Sequence, residues 1–345
     1  MRKAWLLFKN TRAMNRESQP LVSVITPVYN CAEYLAECIE SVLAQTYQNW
    51  DYAIVDNCSD DGSTEIAKRY AEKDSRIRVY RNQQLLPAVP NYNLSLGKIS
   101  AASKYCKIVF ADDWLFQGCL EQMVALAEAH PSVGIVGGYV SEGSERSCTG
   151  LPVANSFFPG REICRSHLLD KLYVFGSANS VLYRSDLVRG RVPFYNESNI
   201  HSDTEVCFAL LRSSDFGFIH QVLTFTRVRE QSLSTWSTKM QTAFAGDLQI
   251  LVAFGSDYLT SDELSHLLKT NLSEYYRFLG KTVLLGHIRQ LDYHRKRFLE
   301  IGLKFSYARV VHGALATLFR LLRAPGHSFV KLQHWRNRSK LKCQS

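Results

Sequence analysis

The sequence has no uninterrupted apolar run of about 18 residues, which argues against a membrane-spanning helix. It also has no Cys-x-x-Cys pair, and its nine cysteines are odd in number and scattered. That pattern excludes a zinc ribbon, a dithiol redox centre and a disulfide framework, and leaves most cysteines as small buried hydrophobes. The start, Met1 to Asn10, has an apolar patch shorter than a signal-peptide core and no convincing cleavage site, so the expectation is a protein made and kept in the cytoplasm. Where the first strand ends there is no Gly-x-Gly-x-x-Gly turn, which sets aside a dinucleotide-binding unit of the usual kind.

What is present is an ordinary globular composition, 46% hydrophobic and 21% charged over 345 residues. That length allows one large α/β domain with a helical extension. The net charge of +9 is unevenly placed: Lys281 to Ser345 holds 14 Lys/Arg against Asp292 and Glu300, which leaves the rest slightly acidic. An anionic membrane surface is the partner class expected for this tail; nucleic acid has the same charge requirement but is not expected. Solvated helix faces account for the charge equally well.

The chain is organised around Lys104 to Phe116. A strand-forming run, Tyr105 to Phe110, stops at two adjacent carboxylates, Asp112 and Asp113, with a helical pattern resuming beyond. In an open α/β sheet the carboxyl ends of the strands form the ligand crevice. Paired aspartates there need positive charge, and Mg²⁺ or Mn²⁺ would supply it while keeping positions for phosphate oxygens. Upstream, Leu21 to Thr26 reads as a buried strand ending at Pro27-Val28-Tyr29-Asn30, where an aromatic face suits base stacking. Cys31 to Gln45 has helical spacing, and Trp50 to Val55 is a strand ending at Asp56, placed to accept from a base or ribose. Ser63 or Thr64 caps the next helix, with Asp60 and Asp61 as turn chemistry. Arg76 to Tyr80 is a third strand, with Arg81 and Asn82 at its end. A helix is expected from about Asn91 to Ser103, where Asn91 and Asn93 either cap it or reach ligand.

Thr26-Pro-Val-Tyr-Asn30, Ile54-Val-Asp-Asn-Cys-Ser-Asp-Asp-Gly-Ser63 and Phe110-Ala-Asp-Asp-Trp-Leu115, in this order and at these spacings, resemble the successive signatures of family 2 glycosyltransferases. The resemblance covers Pro20 to Val140 and continues more weakly to about Ser234. It implies a GT-A fold: a Rossmann-like, mixed but mainly parallel sheet flanked by helices, here with a C-terminal helical extension. It also implies an inverting enzyme that uses a nucleotide-diphosphate sugar. By the same resemblance Tyr29 stacks on the base, Asp56 binds the nucleoside, Asp112 contacts the ribose or sugar side and Asp113 binds the metal. The candidate donor contacts are therefore Pro27, Tyr29, Asn30, Asp56, Arg81, Asn93, Asp112 and Asp113. Many relatives carry an acid where this chain has Phe110, so metal binding would rest chiefly on Asp113 and the diphosphate.

Downstream, Val133 to Val140 is another strand, Ser141 to Gly160 an acceptor-side loop region, and His201 to Glu205 opens an amphipathic helix. The family carries a Glu-Asp pair near this place whose Asp is the catalytic base. Here the pair is Ser202-Asp203, making Asp203 the expected base and Glu205 the reserve, with His201 beside them. Arg227 and Arg229 either supply charge to the diphosphate or acceptor or are solvated. The expected organisation is a leader (1–19), a glycosyltransferase domain (20–235, its nucleotide-sugar half 20–140 and its acceptor half 141–235) and a basic helical extension (236–345). Tyr307 to Arg323 resembles an interfacial amphipathic helix, and with Lys331 to Lys342 would hold the enzyme peripherally at the cytoplasmic face of a membrane carrying a lipid-linked acceptor. The expected reaction moves one sugar, UDP-linked by preference, to a saccharide or lipid-linked hydroxyl in cell-surface polysaccharide or lipopolysaccharide assembly. The alternative is a non-catalytic nucleotide-sugar-binding or scaffold protein.

Overall fold

The computed structural model describes residues 19–230 and 232–323, and in it the buried apolar runs become parallel strands joined by helices. The order is β1 (Val22–Val28), α1 (Ala32–Leu43), β2 (Trp50–Asp56), α2 (Ser63–Ala71), β3 (Ile77–Arg81), α3 (Ala88–Leu96) and β4 (Tyr105–Ile108). There follow β5 (Trp114–Leu115), α4 (Cys119–Ala129), β6 (Val133–Glu142), β7 (Glu145–Ser147), β8 (Phe157–Phe158) and α5 (Gly160–Asp170). A 3-10 turn (Ala178–Ser180), β9 (Leu182–Arg184), α6 (Ser185–Arg189), α7 (Ser202–Leu211) and β10 (Asp215–Thr226) complete this part.

All ten strands form one sheet, with the central order β3-β2-β1-β4-β9-β6-β10-β5. The β3-β2-β1-β4 half is wholly parallel, and β1 is buried at every position, as a strand covered on both faces must be. Pro27 is tolerated inside β1 because β4 stops pairing at Ile25↔Ile108, so on that side no ladder partner is left for its missing N–H. In the other half β9 enters antiparallel between β4 and β6. That reversal decides the site. Leu182 pairs with Lys107, so the 3-10 turn just before β9 is delivered to the carboxyl end of β4. Likewise β5 pairs antiparallel with β10, Phe225↔Trp114, which brings the segment after β10 beside Asp112 and Asp113.

Three local expectations shift. The helix expected from Asn91 begins at Ala88 and ends at Leu96, with Gly97 at its cap. Pro90 lies in its first turn, where a missing N–H has no intrahelical partner to lose. Neither Ser63 nor Thr64 caps α2: Gly62 occupies the cap at φ 93°, and Asp61 Oδ1 accepts from the Ser63 N–H at 3.0 Å. The helix expected directly after the aspartates also waits until Cys119, with β5 intervening.

The chain separates into two compact units, Met1–Ser232 and Leu233–Ser345. The second is helical: α8 (Leu233–Met240), α9 (Ala243–Tyr258), α10 (Ser261–Leu284), α11 (Ile288–Glu300) and α12 (Tyr307–Arg323). Its core gathers Leu248, Tyr275, Tyr276, Leu279, Phe298 and Val310. Thr260 and Glu263 form a reciprocal capping box at the start of α10. No described helix is long and apolar enough to cross a membrane. The basic stretch Lys331 to Lys342 and the leader up to residue 18 lie outside the described residues.

Candidate active site

Register lines up the first part of the site. Val28 of β1 sits opposite Asp56 of β2, and Asp56 opposite Arg81 of β3, so one rung at the carboxyl edge carries the nucleoside candidates. Asp56 is buried, and its carboxylate accepts from Thr64 Oγ1 at 2.9 Å, from Arg81 at 2.8 Å and from the Ser59 N–H at 3.3 Å. Arg81 also donates to the Ser59 carbonyl at 2.9 Å, which fixes its fork over the loop. Tyr29, one residue beyond Val28, is 49% exposed and presents an uncovered aromatic face at this edge. Asn30, the next residue, is exposed and lines a cavity beside this edge. It holds a left-handed φ of 47° and stitches two loops, its N–H donating to Ser59 Oγ at 3.0 Å and its Oδ1 accepting from the Asp60 N–H at 3.0 Å.

Asn93 is likewise taken up by structure. Its amide donates to the Tyr195 carbonyl at 2.9 Å and accepts from the Tyr195 N–H at 2.8 Å, clamping the segment that leads to α7. Asn91 does not cap α3; it is buried within the helix, accepting from Asn82 at 2.9 Å.

The two aspartates differ in environment although they are neighbours. Asp112 forms an ion pair with Arg229 at 2.6 Å. Asp113 is buried; its Oδ1 accepts from the Arg227 N–H at 2.9 Å and its Oδ2 from Asn179 Nδ2 at 3.1 Å. Burial first, and the charge of Asp112 second, push its carboxyl up to about 7 against the opposing pull of the Arg227 N–H. Below them Lys107 is fully buried in β4, donating to the Asn179 and Ile108 carbonyls, and burial lowers it to about 8. Arg227 is not a solvated cation: it pairs with Glu37 at 2.6 Å and lies 4.4 Å from the Tyr34 ring centre. A cavity of about 530 Å³ opens beside Arg229, between the Asn30–Tyr34 turn and the Val228–Glu230 segment.

Among the described residues no three His, Cys, Asp or Glu side chains gather into a self-sufficient metal centre. The oxygen donors present are Asp112, Asp113 and Asn179 Oδ1, which is buried without a hydrogen-bond partner. Hard oxygens in this number fit a divalent cation that completes its shell with phosphate oxygens and water.

Asp203 lies in the first turn of α7, Oδ1 accepting from the Thr204 N–H at 2.8 Å. Burial raises its pKa while His201 works against the rise, so the carboxylate is more basic than an exposed one. Glu205 is differently placed. It is buried and accepts from Asn196 at 3.0 Å and Asn199 at 2.8 Å, with Arg191 at 3.7 Å. Its oxygens are engaged in holding the loop before α7. Burial first, then the charges of Asp112, Asp203 and Asp113, push the Tyr92 phenol up. Tyr92 also packs on Phe110 with ring centres 5.2 Å apart, so the residue standing where relatives carry an acid has an aromatic partner.

Residues 23–189 match the family model for glycosyl transferase family 2. They belong to that family. The chain is 25% identical over 250 residues to the glycosyltransferase GlyG of Streptococcus pneumoniae serotype 4, covering 69% of this chain and 82% of that one. Other curated relatives align over shorter stretches, and the chain spans less than half of their length. Among solved structures it is similar to residues 1–349 of S. aureus TarS in complex with UDP-GlcNAc, with a TM-score of 0.61, 16% identity and 81% of each chain covered. It is also similar to the mannosyltransferase PcManGT from Pyrobaculum calidifontis in complex with GDP-Man and Mn²⁺, with a TM-score of 0.53, 16% identity, and 99% of this chain and 91% of that one covered. The fold of the glycosyltransferase is thus GT-A. Asn179, Lys107 and Tyr92 carried no sequence signal, since each depends on a partner far away in the chain.

Proposed function

We propose that this glycosyltransferase moves a single sugar from a nucleotide-diphosphate sugar, UDP-linked by preference, to an acceptor hydroxyl with inversion at the anomeric carbon. The observation that carries the reading is that one sheet edge holds Tyr29, Asp56 and Arg81 together with the Asp112–Asp113 pair. In this reading the base stacks on Tyr29 and donates to Asp56, while Arg81 holds the Asp56 carboxylate in place. Asp112 and Asp113, with Asn179 Oδ1, would hold a Mn²⁺ or Mg²⁺ ion, whose contribution when bound is positive charge against the departing diphosphate. Asp203 accepts the proton of the acceptor hydroxyl as it attacks, and its burial-raised basicity suits that role; a positioned base contributes about 10²- to 10⁴-fold. Glu205 is left to hold the loop beneath it. Attack from the face opposite the diphosphate inverts the configuration.

The bound nucleotide sugars of TarS and PcManGT support the donor class, and the Mn²⁺ of the latter supports the cation. The acceptor class proposed is a saccharide or lipid-linked saccharide of cell-surface polysaccharide or lipopolysaccharide assembly at the cytoplasmic face. Calorimetric titration with UDP, GDP and dTDP, each with and without Mn²⁺, tests the reading. Metal-dependent binding of one nucleotide is expected; binding to none overturns it. A product that keeps the donor's anomeric configuration overturns the single displacement.

A further inference from the structure

The second unit contains a cavity that the transfer reaction does not use. It measures about 480 Å³, lies between α10 and α12, and is lined by Lys269, Ser273, Tyr276 and Arg277 on one helix and by Arg309 and His312 on the other. No carboxylate is among its lining residues, and none of Lys269, Arg277 and Arg309 forms an ion pair with a described residue. Three cations facing one concavity without an acid repel one another unless an anion joins them. The Ser273 hydroxyl on one wall and the His312 ring on the other add donors suited to phosphate oxygens.

The cavity has a fixed frame. At Gly280 an added Cβ would meet Ala314 N at 2.2 Å, and at Gly313 it would meet the Tyr276 carbonyl oxygen at 2.3 Å, so the two helices touch backbone to backbone there. Val310 and Ala314 fill the buried side of that contact. On the side of α12 turned away from α10, Val311, Leu315, Leu318, Phe319 and Leu322 recur at helical spacing and are exposed, Phe319 at 62% and Leu322 at 75%. His312 and Ala316 of the cavity rim each follow a stripe residue directly in sequence. An anion-ready pocket therefore borders an uncovered apolar stripe on a single helix.

We propose that this cavity seats the phosphate of an anionic membrane phospholipid while the Val311–Leu322 stripe enters the acyl boundary. Charge complementarity names the headgroup, and the stripe names the bilayer as its source: a soluble phosphate would leave the apolar side chains in water, whereas a lipid satisfies both.

The test is sedimentation of the full chain with phosphatidylcholine vesicles that contain or lack phosphatidylglycerol. Binding to the anionic vesicles is expected, with a loss of about tenfold or more for Arg277→Gln combined with Arg309→Gln. Arg277→Lys with Arg309→Lys, which keeps both charges, should bind like the wild type. Leu315→Ser with Phe319→Ser should lose binding while the cavity is intact. All four positions are exposed, so these variants keep the fold, which circular dichroism verifies. Lys331→Gln with Lys340→Gln and Lys342→Gln should retain the Arg277 and Arg309 dependence. Absence of vesicle binding by the wild type, or unchanged binding by the cavity variant, overturns the proposal. Calorimetric binding of inorganic phosphate that needs Arg277 and Arg309, without vesicle binding, overturns it in favour of a soluble anion.

Discussion

The Asn179 amide donates to Asp113 Oδ2 at 3.1 Å, and its own oxygen remains buried without a hydrogen-bond partner. The residue's main chain is held by Lys107, whose ammonium donates to the Asn179 backbone carbonyl from within β4. An oriented amide beside a buried carboxylate fixes the direction of the carboxylate lone pairs, and in metal sites such partners alter affinity by about 10- to 100-fold. Asn179→Ala should therefore weaken Mn²⁺-dependent nucleotide binding by roughly that factor, while metal-independent binding changes little. Titration with and without Mn²⁺ reads both.

Asp203 and Glu205 make a discriminating pair. Asp203→Asn should lower turnover by about 10²- to 10⁴-fold and leave donor affinity as it is. Glu205→Ala should instead cost about 1–3 kcal/mol of stability, because Asn196, Asn199 and Arg191 lose their acceptor, with turnover per folded molecule retained. Steady-state kinetics alongside thermal denaturation separates the two; equal turnover in Asp203→Asn would move the base elsewhere.

Tyr29 offers a test of the base platform. Removing an exposed ring that stacks on a base costs about 1–3 kcal/mol of binding, so Tyr29→Ala should weaken nucleotide binding about tenfold or more. Tyr29→Phe keeps the face and should bind like the wild type. Loss of binding in both variants would mean that the hydroxyl, not the ring face, makes the contact.

His294 sets a pH dependence in the helical unit. It is fully buried, Nδ1 facing the Tyr275 hydroxyl and Nε2 bonded to the Met240 carbonyl at 2.9 Å, and burial lowers it from 6.5 to about 4. Since the unfolded chain binds the proton more readily, the stability due to the neutral ring is complete above pH 6.5 and is lost as pH falls toward 4. The limit is on the order of 3 kcal/mol. Chemical denaturation from pH 7.5 to 4.5 should show this fall in the wild type and a shallower one in His294→Gln.

Gly313 permits a close backbone contact in the second unit. A methyl group there has nowhere to go, since its neighbour at 2.3 Å is the main-chain oxygen of Tyr276. Gly313→Ala should cost about 1–3 kcal/mol. Ser273→Ala, on an exposed position of α10, serves as the neutral control, and a melting temperature unchanged in both would contradict the contact.

Much of the donor half was legible because its determinants are local. A buried strand, a polar stop and a helical period recur within about 30 residues, so Tyr29, Asp56, Arg81 and the aspartate pair could each be assigned to a strand end. Asn30, Asn93 and Glu205 have structural partners that the sequence could not show, for one shared reason. Amides and carboxylates at loop and helix starts have the chemistry of ligand contacts and of structural ties alike, and only their partners distinguish the two. Asn30 has Ser59 and Asp60, Asn93 has Tyr195, and Glu205 has Asn196 and Asn199.

The sequence by itself determined the parallel half of the sheet, the ordered motifs at its carboxyl edge, the basic balance of the last residues and the amphipathic spacing of α12. Those are properties of neighbours along the chain. Tertiary structure decided what surrounds the aspartates: the antiparallel entry of β9 carries Asn179 to Asp113, and the return of β10 sets Arg227 and Arg229 against the pair. It also decided that Arg277 and Arg309 share one cavity. Strand reversal and helix crossing depend on packing between distant segments, and no local period records which segments will meet.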